Sequence, residues 1–155
     1  MRGIIPKGSN MVIAVINGPN LNLIGRREPE IYGSRSLASY LQELEGDFLQ
    51  DSFMFFQSNS EGELIDILHR IGYPEDGAPI VDGIIINPGA YAHYSYAMAD
   101  AIRSIPQPTV EVHISNIYAR EEYRSRSVTA AACRGVITGF GLDGYRLAVE
   151  ALKRF

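Results

Sequence analysis

The 155-residue sequence predicts an α/β fold built on a parallel sheet of five strands. Five short segments are continuously apolar and rich in Val, Ile and Phe, which is typical of strands covered on both faces. Segments whose apolar residues recur at helical spacing alternate with them along the chain. A chain of this length forms a core that needs no disulfide or metal to stabilise it. We therefore expect a single α/β domain over residues 11–155, behind a flexible extension over residues 1–10.

The order of the predicted elements favours one particular sheet. The strands cover residues 11–17, 52–57, 83–87, 109–113 and 135–139, and the helices lie near residues 36–50, 60–72, 95–104, 119–125 and 144–154. Phe48 and Leu49 complete the apolar pattern of the first helix. Ser60 and Glu63 form a capping box, in which each side chain satisfies a backbone N–H at the start of the second helix. Four crossovers and a closing helix favour a doubly wound, flavodoxin-like sheet.

The composition argues against several functional classes. A formal charge of −4 and an isoelectric point near 5.3 disfavour a nucleic-acid binder, which usually carries a basic face. Cys133 is the only cysteine, which excludes an internal disulfide and any multi-cysteine zinc site, and three histidines leave little for a histidine-rich metal site. The longest apolar run is far shorter than the ~20 residues that span a bilayer. Residues 1–10 hold no signal-peptide core, so we expect a cytoplasmic protein that binds neither a membrane nor a metal ion.

Polar side chains follow the predicted strands at their carboxyl ends, where open α/β sheets bind ligands. They are Asn17 to Asn20, Gln57 to Asn59, Asn87 to His93, and the set Glu111, His113, Ser115 and Asn116. Asn, Gly and Pro are also common turn formers, and that explanation suffices for any one of these residues. It is weaker for the whole set, because His93, Glu111 and His113 are not turn formers. The sequence therefore predicts a ligand site at this edge of the sheet.

Glu111 and His113 are two residues apart on the fourth strand, so their side chains point to the same face. A carboxylate beside an imidazole fixes the orientation of the ring and favours its protonated form, which suits a general acid. The alternative is a buried ion pair without chemistry. The position of the pair at the ligand-binding end of the strand favours the chemical interpretation.

The loop after the first strand is well beyond the usual ~2–6 residues, which is typical of an active-site lid. It carries Arg26, Arg27 and Tyr32, and two arginines near a tyrosine can stabilise a phenolate. A solvated charged loop with a packing tyrosine is the alternative, and the loop segment alone favours it. The charged run from Arg120 to Arg124 is similarly typical of a solvated helix face, unless one arginine reaches an anionic substrate.

Five segments together resemble one enzyme family over almost the whole chain after residue 10. They are NGPNLNLIGRREPEIYG (17–33), FFQSNSEGELID (55–66), DGIIINPGAYAH (82–93), VEVHISNIYAREEYR (110–124) and GVITGFGLDGYRLAVEAL (135–152). With these segments the sequence resembles the type II 3-dehydroquinate dehydratases. The resemblance implies a flavodoxin-like subunit of a dodecamer, assembled as a tetramer of trimers. It also implies a lyase that converts 3-dehydroquinate into 3-dehydroshikimate without metal, cofactor or Schiff base.

The resemblance assigns a role to each catalytic position. Tyr32, as a phenolate, is expected to remove a proton from the carbon next to the ketone, and Arg27 of the lid to favour that phenolate. Asn20 is expected to hold a water that stabilises the enolate. His113, oriented by Glu111, is expected to protonate the leaving hydroxyl. An elimination through an enolate needs one base, one oxyanion stabiliser and one acid, and these residues supply all three.

Further positions match the substrate-binding residues and subunit contacts of the resembled family. The substrate-binding matches are Asn87, His93, Ile114, Ser115 and Arg124, and Asp100 matches a residue that reaches a neighbouring subunit's site. The sequence departs from the family pattern at Ser60, Ala99 and Tyr118, which replace His, Arg and His, and residues 127–134 lack a usual Ser-Pro pair. We expect these departures to affect packing and assembly more than the reaction.

Three other functions compete with the enzymatic one. The weakest is a receiver-type signalling domain, because the first strand ends in Asn17 and not in an acidic cluster. A flavodoxin-like flavin or nucleotide binding module has the same fold class, but the first loop holds neither a Ser/Thr-rich phosphate cradle nor a G-x-G-x-x-G motif. An inactive relative retained for assembly is disfavoured by the presence of Tyr32, Arg27, Asn20 and His113.

Overall fold

A computed structural model describes residues 10–155, in which five parallel strands form one sheet. The strands are β1 (Val12–Asn17), β2 (Ser52–Gln57), β3 (Gly83–Asn87), β4 (Thr109–His113) and β5 (Gly135–Thr138). Their order, β2-β1-β3-β4-β5, is that of a flavodoxin-like doubly wound sheet, which confirms the predicted fold class. The extension predicted over residues 1–10 lies, except for Asn10, outside the described residues.

Helices cover both faces of the sheet and enclose two apolar cores. The helices are α1 (Pro29–Tyr32), α2 (Leu37–Asp47), α3 (Glu61–Gly72), α4 (Tyr96–Arg103) and α5 (Asp143–Leu152). Successive side chains of a strand point to opposite faces, so Ile13 and Val15 of β1 join the core under α2 and α5, whereas Ala14 and Ile16 join the core under α3 and α4. Within residues 10–155, none of the helices combines the length and the apolar character needed to cross a membrane.

The outer strands are less buried than the sequence pattern indicates. β3 and β4 are buried at every residue, whereas Phe55 of β2 is 36% exposed. β2 and β5 each pair with a single neighbouring strand at the rim of the sheet, where the helices cover them incompletely. The expectation that all five strands are covered on both faces is therefore wrong for these two.

Two predicted helices differ from the observed structure. The first ends at Asp47, two residues before Leu49, whose side chain is 86% exposed instead of facing the core. The helix predicted near residues 119–125 is instead two separate 3-10 turns, Ile117–Ala119 and Glu122–Ser125. Arg120, between them, has extended backbone angles, so the chain cannot continue as one helix there.

The capping box at the start of α3 is only half formed. Ser60 Oγ accepts a hydrogen bond from Glu63 N at 3.2 Å, as predicted. The Glu63 carboxylate, however, accepts from Ser58 Oγ at 2.6 Å. Ser58 Oγ in turn accepts from Ser60 N at 3.0 Å, so this hydroxyl takes the place that the capping box assigns to Glu63.

The ends of β1 and β3 approach closely, at the point where the strand order reverses and where such sheets bind ligands. Gly18 N donates to Asn87 O at 2.8 Å. A Cβ atom at Gly18 would lie 2.6 Å from Pro88 O, so a side chain cannot fit there. Glycine therefore lets the two strand ends meet and brings their following segments into one crevice.

Candidate active site

One pocket lies at the carboxyl ends of β1, β3 and β4, under the first loop, which we define as residues 18–34. The predicted site residues that line it are Asn20, Arg27, Tyr32, Asn87, His93, His113, Ile114, Ser115 and Arg124. Arg120 also lines it, although the sequence pattern gives this arginine no definite role. The structure therefore brings together side chains from the sheet edge, the first loop and the charged run.

His113 lines this pocket, and Glu111 is its fully buried partner. The Glu111 carboxylate is fully buried, and its Oε2 lies 2.8 Å from His113 Nε2. A carboxylate can only accept, so His113 Nε2 carries the proton of this bond and Nδ1 is the nitrogen left for other partners. Two further donors reach the same carboxylate, Ser127 Oγ at 2.7 Å and Thr129 Oγ1. The predicted proximity of carboxylate and imidazole is observed.

His93 lies beside His113, with the two ring centroids 6.2 Å apart. Its Nδ1 is 2.8 Å from the carbonyl oxygen of Arg126, which accepts, so Nδ1 carries a proton. Burial lowers the pKa of His93, and this effect outweighs the hydrogen bond to Arg126 O, which acts in the opposite direction. His93 is therefore a neutral ring whose Nε2 is an acceptor.

Tyr32 ends α1 in the first loop and is the base predicted from the sequence. Its hydroxyl accepts a hydrogen bond from Arg120 Nη1 at 2.7 Å, and Arg120 Nη1 also lies 3.3 Å from Ser115 Oγ. The Arg27 guanidinium lies 4.9 Å from the centre of the Tyr32 ring, and that of Arg120 lies 5.3 Å from it. Both cations therefore face the tyrosine, but the hydrogen bond comes from Arg120.

Arg27 interacts both with the Tyr32 ring and with a neighbouring carboxylate. Arg27 Nη2 lies 2.8 Å from Glu28 Oε2, and this bond lowers the pKa of the Glu28 carboxyl, which stays ionised. Glu28 has a φ of 38°, in the left-handed region that non-glycine residues rarely adopt. The first loop therefore takes a strained turn just before α1, which carries Tyr32.

Asn20 takes its position from the loop after β2. Its backbone has a φ of 68°, and its N–H donates to Asn59 Oδ1 at 3.0 Å. Gln57 Nε2 donates to the same Asn59 oxygen at 3.1 Å and to Gly18 O at 3.2 Å. Left-handed backbone is tolerated better by Asn than by most residues, which explains an asparagine at this turn.

Asn87 belongs to a buried network that joins the ends of β1 and β3 to α5. Its Nδ2 donates to Tyr145 Oη at 3.1 Å, and its Oδ1 accepts from Gly89 N at 3.1 Å. Tyr145 Oη donates to Asn17 Oδ1 at 2.5 Å. Tyr145 is fully buried, and burial raises the pKa of its phenol, which stays neutral. One N–H of Asn87 is thus left for a ligand.

Asp100 does not line the pocket of its own chain. It lies on α4, its side chain is 80% exposed, and Arg103 Nη1 is 3.4 Å from its Oδ1. Within one chain the structure therefore brings together every predicted substrate-binding residue except this one. The prediction that Asp100 reaches a neighbouring subunit's site concerns a second chain.

Arg124 is the third arginine of the pocket, after Arg27 and Arg120. Its Nε donates to Glu121 Oε2 at 2.6 Å, and its guanidinium lies 4.9 Å from the Tyr123 ring centre. Tyr123 itself packs edge-on against His93, with ring centroids 5.8 Å apart. Among the residues that the structure describes, no group of three or more His, Cys, Asp or Glu side chains is placed to hold a metal ion. The pocket combines arginines, neutral amides and two imidazoles, which suits an anionic, hydroxylated ligand.

A family model described as dehydroquinase class II matches residues 11–153 of the chain. The chain belongs to the class II dehydroquinase family. This membership confirms the family predicted from the sequence, and it confirms the enzyme class, a lyase of the type II 3-dehydroquinate dehydratase kind.

Dehydroquinase relatives are similar over nearly the whole length of the chain. The 3-dehydroquinate dehydratase of Carboxydothermus hydrogenoformans is 55% identical over 145 residues, which cover 92% of this chain and 90% of the relative. That of Clostridium beijerinckii is 55% identical over 146 residues, covering 92% and 96%. The crystal structure of type II dehydroquinase from Butyrivibrio crossotus has a TM-score of 0.86 at 44% identity, covering 94% of this chain and 99% of that one.

The departures from the dehydroquinase pattern lie in different surroundings. Ser60 caps α3, Ala99 is buried in α4, and Tyr118 is 68% exposed, so none of these three lines the pocket. The segment 127–134 is different, because its Ser127 and Thr129 hydroxyls contact Glu111. Sequence reasoning missed these hydroxyls, which no local pattern marks. It left open whether an arginine of the run from Arg120 to Arg124 reaches the site, and it did not predict the hydrogen bonds of Tyr145.

Proposed function

We propose that this dehydroquinase catalyses the loss of water from 3-dehydroquinate to give 3-dehydroshikimate, through an enolate. The observation that carries the proposal is a single pocket that holds Tyr32, bonded to Arg120 at 2.7 Å, and His113, bonded to Glu111 at 2.8 Å. A base and an acid that line one pocket suit an elimination in two steps.

The first step is the removal of a proton by Tyr32. The phenolate oxygen takes the proton from the carbon next to the ketone, and the electron pair of the C–H bond moves to the ketone oxygen to form the enolate. The hydrogen bond from Arg120 and the positive charge of Arg27 over the ring both favour a negative charge on the Tyr32 oxygen. Asn20, which lines the pocket, is proposed to hold a water that donates to the enolate oxygen.

The second step is the departure of the β-hydroxyl, assisted by His113. The enolate electron pair forms the new C=C bond, the C–O bond breaks, and the leaving oxygen takes a proton from His113 to depart as water. Because Nε2–H is bonded to Glu111, Nδ1 is the nitrogen that delivers this proton. The Glu111 carboxylate holds Nε2–H and so fixes the orientation in which Nδ1 can face the leaving oxygen.

The substrate's carboxylate and hydroxyls are proposed to contact the remaining pocket residues. Arg124 supplies a positive charge for the carboxylate, Ser115 and His93 Nε2 can bond hydroxyls, and Asn87 offers its free N–H. Ile114 supplies an apolar wall beside His113. These positions are those that the dehydroquinase pattern assigns to substrate binding.

We also propose that the chain assembles as a dodecamer, a tetramer of trimers, in which Asp100 reaches the pocket of a neighbouring copy. The exposed side chains of Asp100 and Tyr96 on α4, and of Tyr94 just before it, support an interface at this helix. The cytoplasmic location stays a prediction. Light scattering of the purified chain tests the assembly, and a monomeric mass would contradict it.

The test of the proposed reaction is an assay on purified chain with 3-dehydroquinate, followed by the absorbance of the enone product. We expect turnover without added metal, retained turnover in the presence of a chelator, and no inactivation by borohydride, which traps Schiff bases. Absence of product over the accessible pH range would contradict the proposal. A yellow cofactor that copurifies with inactive chain would instead favour the flavodoxin-like binding module.

A further inference from the structure

A buried carboxylate needs hydrogen-bond donors, and two of the three donors to Glu111 come from outside the predicted site. Glu111 is fully buried on β4, and Thr129 Oγ1 donates to its Oε1. Ser127 Oγ donates to Oε2 at 2.7 Å, beside the bond from His113 Nε2. Each carboxylate oxygen therefore has a hydroxyl donor, and one of the two oxygens also faces the imidazole.

The two hydroxyls are themselves held firmly. Thr129 is fully buried, and its Oγ1 lies 3.2 Å from Ser127 Oγ. Ser127 Oγ also accepts from Ala130 N at 3.1 Å, which leaves its own proton for Glu111. Val128 N donates to Ala92 O at 2.7 Å, so the segment is tied to the chain beside His93.

The segment from Arg126 to Thr129 helps to orient both imidazoles of the pocket. The carbonyl of Arg126 accepts from His93 Nδ1, while the hydroxyls of Ser127 and Thr129 fix the carboxylate that accepts from His113 Nε2. Without the two hydroxyls, the Glu111 side chain could rotate, and the ring of His113 would lose the fixed partner that determines which nitrogen carries the proton.

We propose that Ser127 and Thr129 are positioning residues for the acid step: their hydroxyls hold the Glu111 carboxylate and, through it, the orientation and protonated nitrogen of His113. We call this pair the hydroxyl clamp. The proposal rests on the proposed function, because it assigns the clamp to the step in which His113 protonates the leaving hydroxyl. Neither Ser127 nor Thr129 lines the pocket, so we expect the clamp to act on turnover and not on substrate binding.

The test compares Thr129→Val with Thr129→Ser, and uses Thr109→Val as the matched control. Valine has the shape of threonine without the hydroxyl, whereas serine keeps it. Thr109 is a buried threonine at the opposite end of β4, where its Oγ1 contacts Gln107 O. We expect Thr129→Val to lower kcat about tenfold, the loss typical of a hydrogen bond to a charged group. KM should change less than twofold, and Thr129→Ser and Thr109→Val should stay within about twofold of the unmodified chain in kcat.

A double-mutant cycle shows whether Thr129 acts through Glu111. In a Glu111→Gln background, we expect Thr129→Val to change kcat less than about twofold, because the charge that the hydroxyl holds is already gone. A tenfold loss in both backgrounds would assign Thr129 a general structural role and overturn the proposal. Equal kcat for Thr129→Val and the unmodified chain would overturn it as well.

A proton NMR measurement tests the clamp without depending on turnover. The His113 Nε2–H proton is buried and bonded to Glu111, so it should give a low-field signal that His113→Ala removes. We expect this signal to persist in Thr129→Ser and to broaden or vanish in Thr129→Val. An unchanged signal in Thr129→Val contradicts the clamp, whereas a chain with the expected signals and no turnover contradicts the proposed function alone.

Discussion

The two sides of the pocket, the proposed acid side with His113 and the proposed base side with Tyr32, differ in how firmly the fold holds them. Glu111 and His113 lie on β4, an interior strand of the sheet, and are 0% and 5% exposed. They belong to a network of four side chains. Tyr32 lies at the end of a four-residue helix in the first loop, half-buried, and its hydroxyl takes a bond from Arg120, a residue of another segment.

This difference suggests a division of work within the site. The acid side is fixed when the sheet forms, because its bonds lie within β4 and the segment that packs on it. The base side depends on the first loop taking the position in which Tyr32 meets Arg120, which is typical of a lid. Substitutions on the acid side should therefore affect stability and turnover together, and those on the base side mainly turnover.

We expect Tyr32→Phe to have the largest effect, a fall in kcat of about 10³-fold or more, because a general base contributes typically 10²–10⁴-fold. The midpoint of urea unfolding should stay unchanged, since the hydroxyl lies at the pocket and not in a core. Tyr118→Phe, at a 68% exposed tyrosine, is the matched control and should retain full turnover. A kcat within tenfold of the unmodified chain would remove Tyr32 as the base.

His113→Ala should lower kcat by about 10²-fold or more and should also destabilise the chain. The substitution leaves the buried Glu111 carboxylate without one of its donors, a loss of about 1–3 kcal/mol in the free energy of unfolding. Steady-state kinetics and urea unfolding measure the two effects on one preparation. Unchanged stability would contradict the difference between the two sides, and unchanged kcat would contradict the acid role.

Arg120→Ala is expected to lower kcat by about 10²-fold, because it removes a charge-assisted bond of the kind that typically contributes about 1.5–3 kcal/mol, together with a positive charge beside Tyr32. Arg120→Lys should recover part of the loss, since the charge returns without the planar donor group. Arg146→Ala removes an arginine that pairs with Asp47 on α2, and it serves as the control. Equal rates for Arg120→Ala and Arg146→Ala would exclude Arg120 from the base side.

The smallest effect concerns the acid dependence of stability. Burial lowers the pKa of His93 in the folded chain, so the unfolded chain binds this proton more readily. Above the ordinary histidine pKa of about 6.5, the neutral ring therefore does not reduce the free energy of unfolding. As the pH falls from there towards the lowered pKa of His93 in the folded chain, the free energy of unfolding declines. Urea unfolding at several pH values should show a shallower decline in His93→Gln, and an equal decline would contradict a neutral His93.

The features that the sequence predicts correctly are those encoded by a local pattern of residues. Strands β2, β3 and β4 have the predicted bounds, because continuous apolar runs mark them, and the period of two in a strand brings Glu111 and His113 together. The bond from Arg120 to Tyr32 joins residues 88 positions apart, and that from Tyr145 to Asn17 joins residues 128 positions apart. No local period encodes such contacts, which arise from the packing of the whole sheet.

The two helical segments that the sequence predicts wrongly also have a physical explanation. Leu49 and the predicted helix near residues 119–125 follow helical patterns of apolar or charged residues, but the chain turns away at Asp47 and at Arg120. At Arg120 the extended backbone lets the guanidinium reach both Tyr32 and Ser115. The local sequence favours a regular helix there, whereas the observed break in the helix places Arg120 in the pocket.

The most direct test of the two-step account separates the proton removal from the loss of water. In deuterium oxide, His113→Ala should incorporate deuterium next to the ketone of 3-dehydroquinate, as mass spectrometry detects, while forming little product. Tyr32→Phe should neither exchange the proton nor form product. Deuterium uptake that survives Tyr32→Phe and disappears in His113→Ala would contradict the assignment of Tyr32 as the base and His113 as the acid.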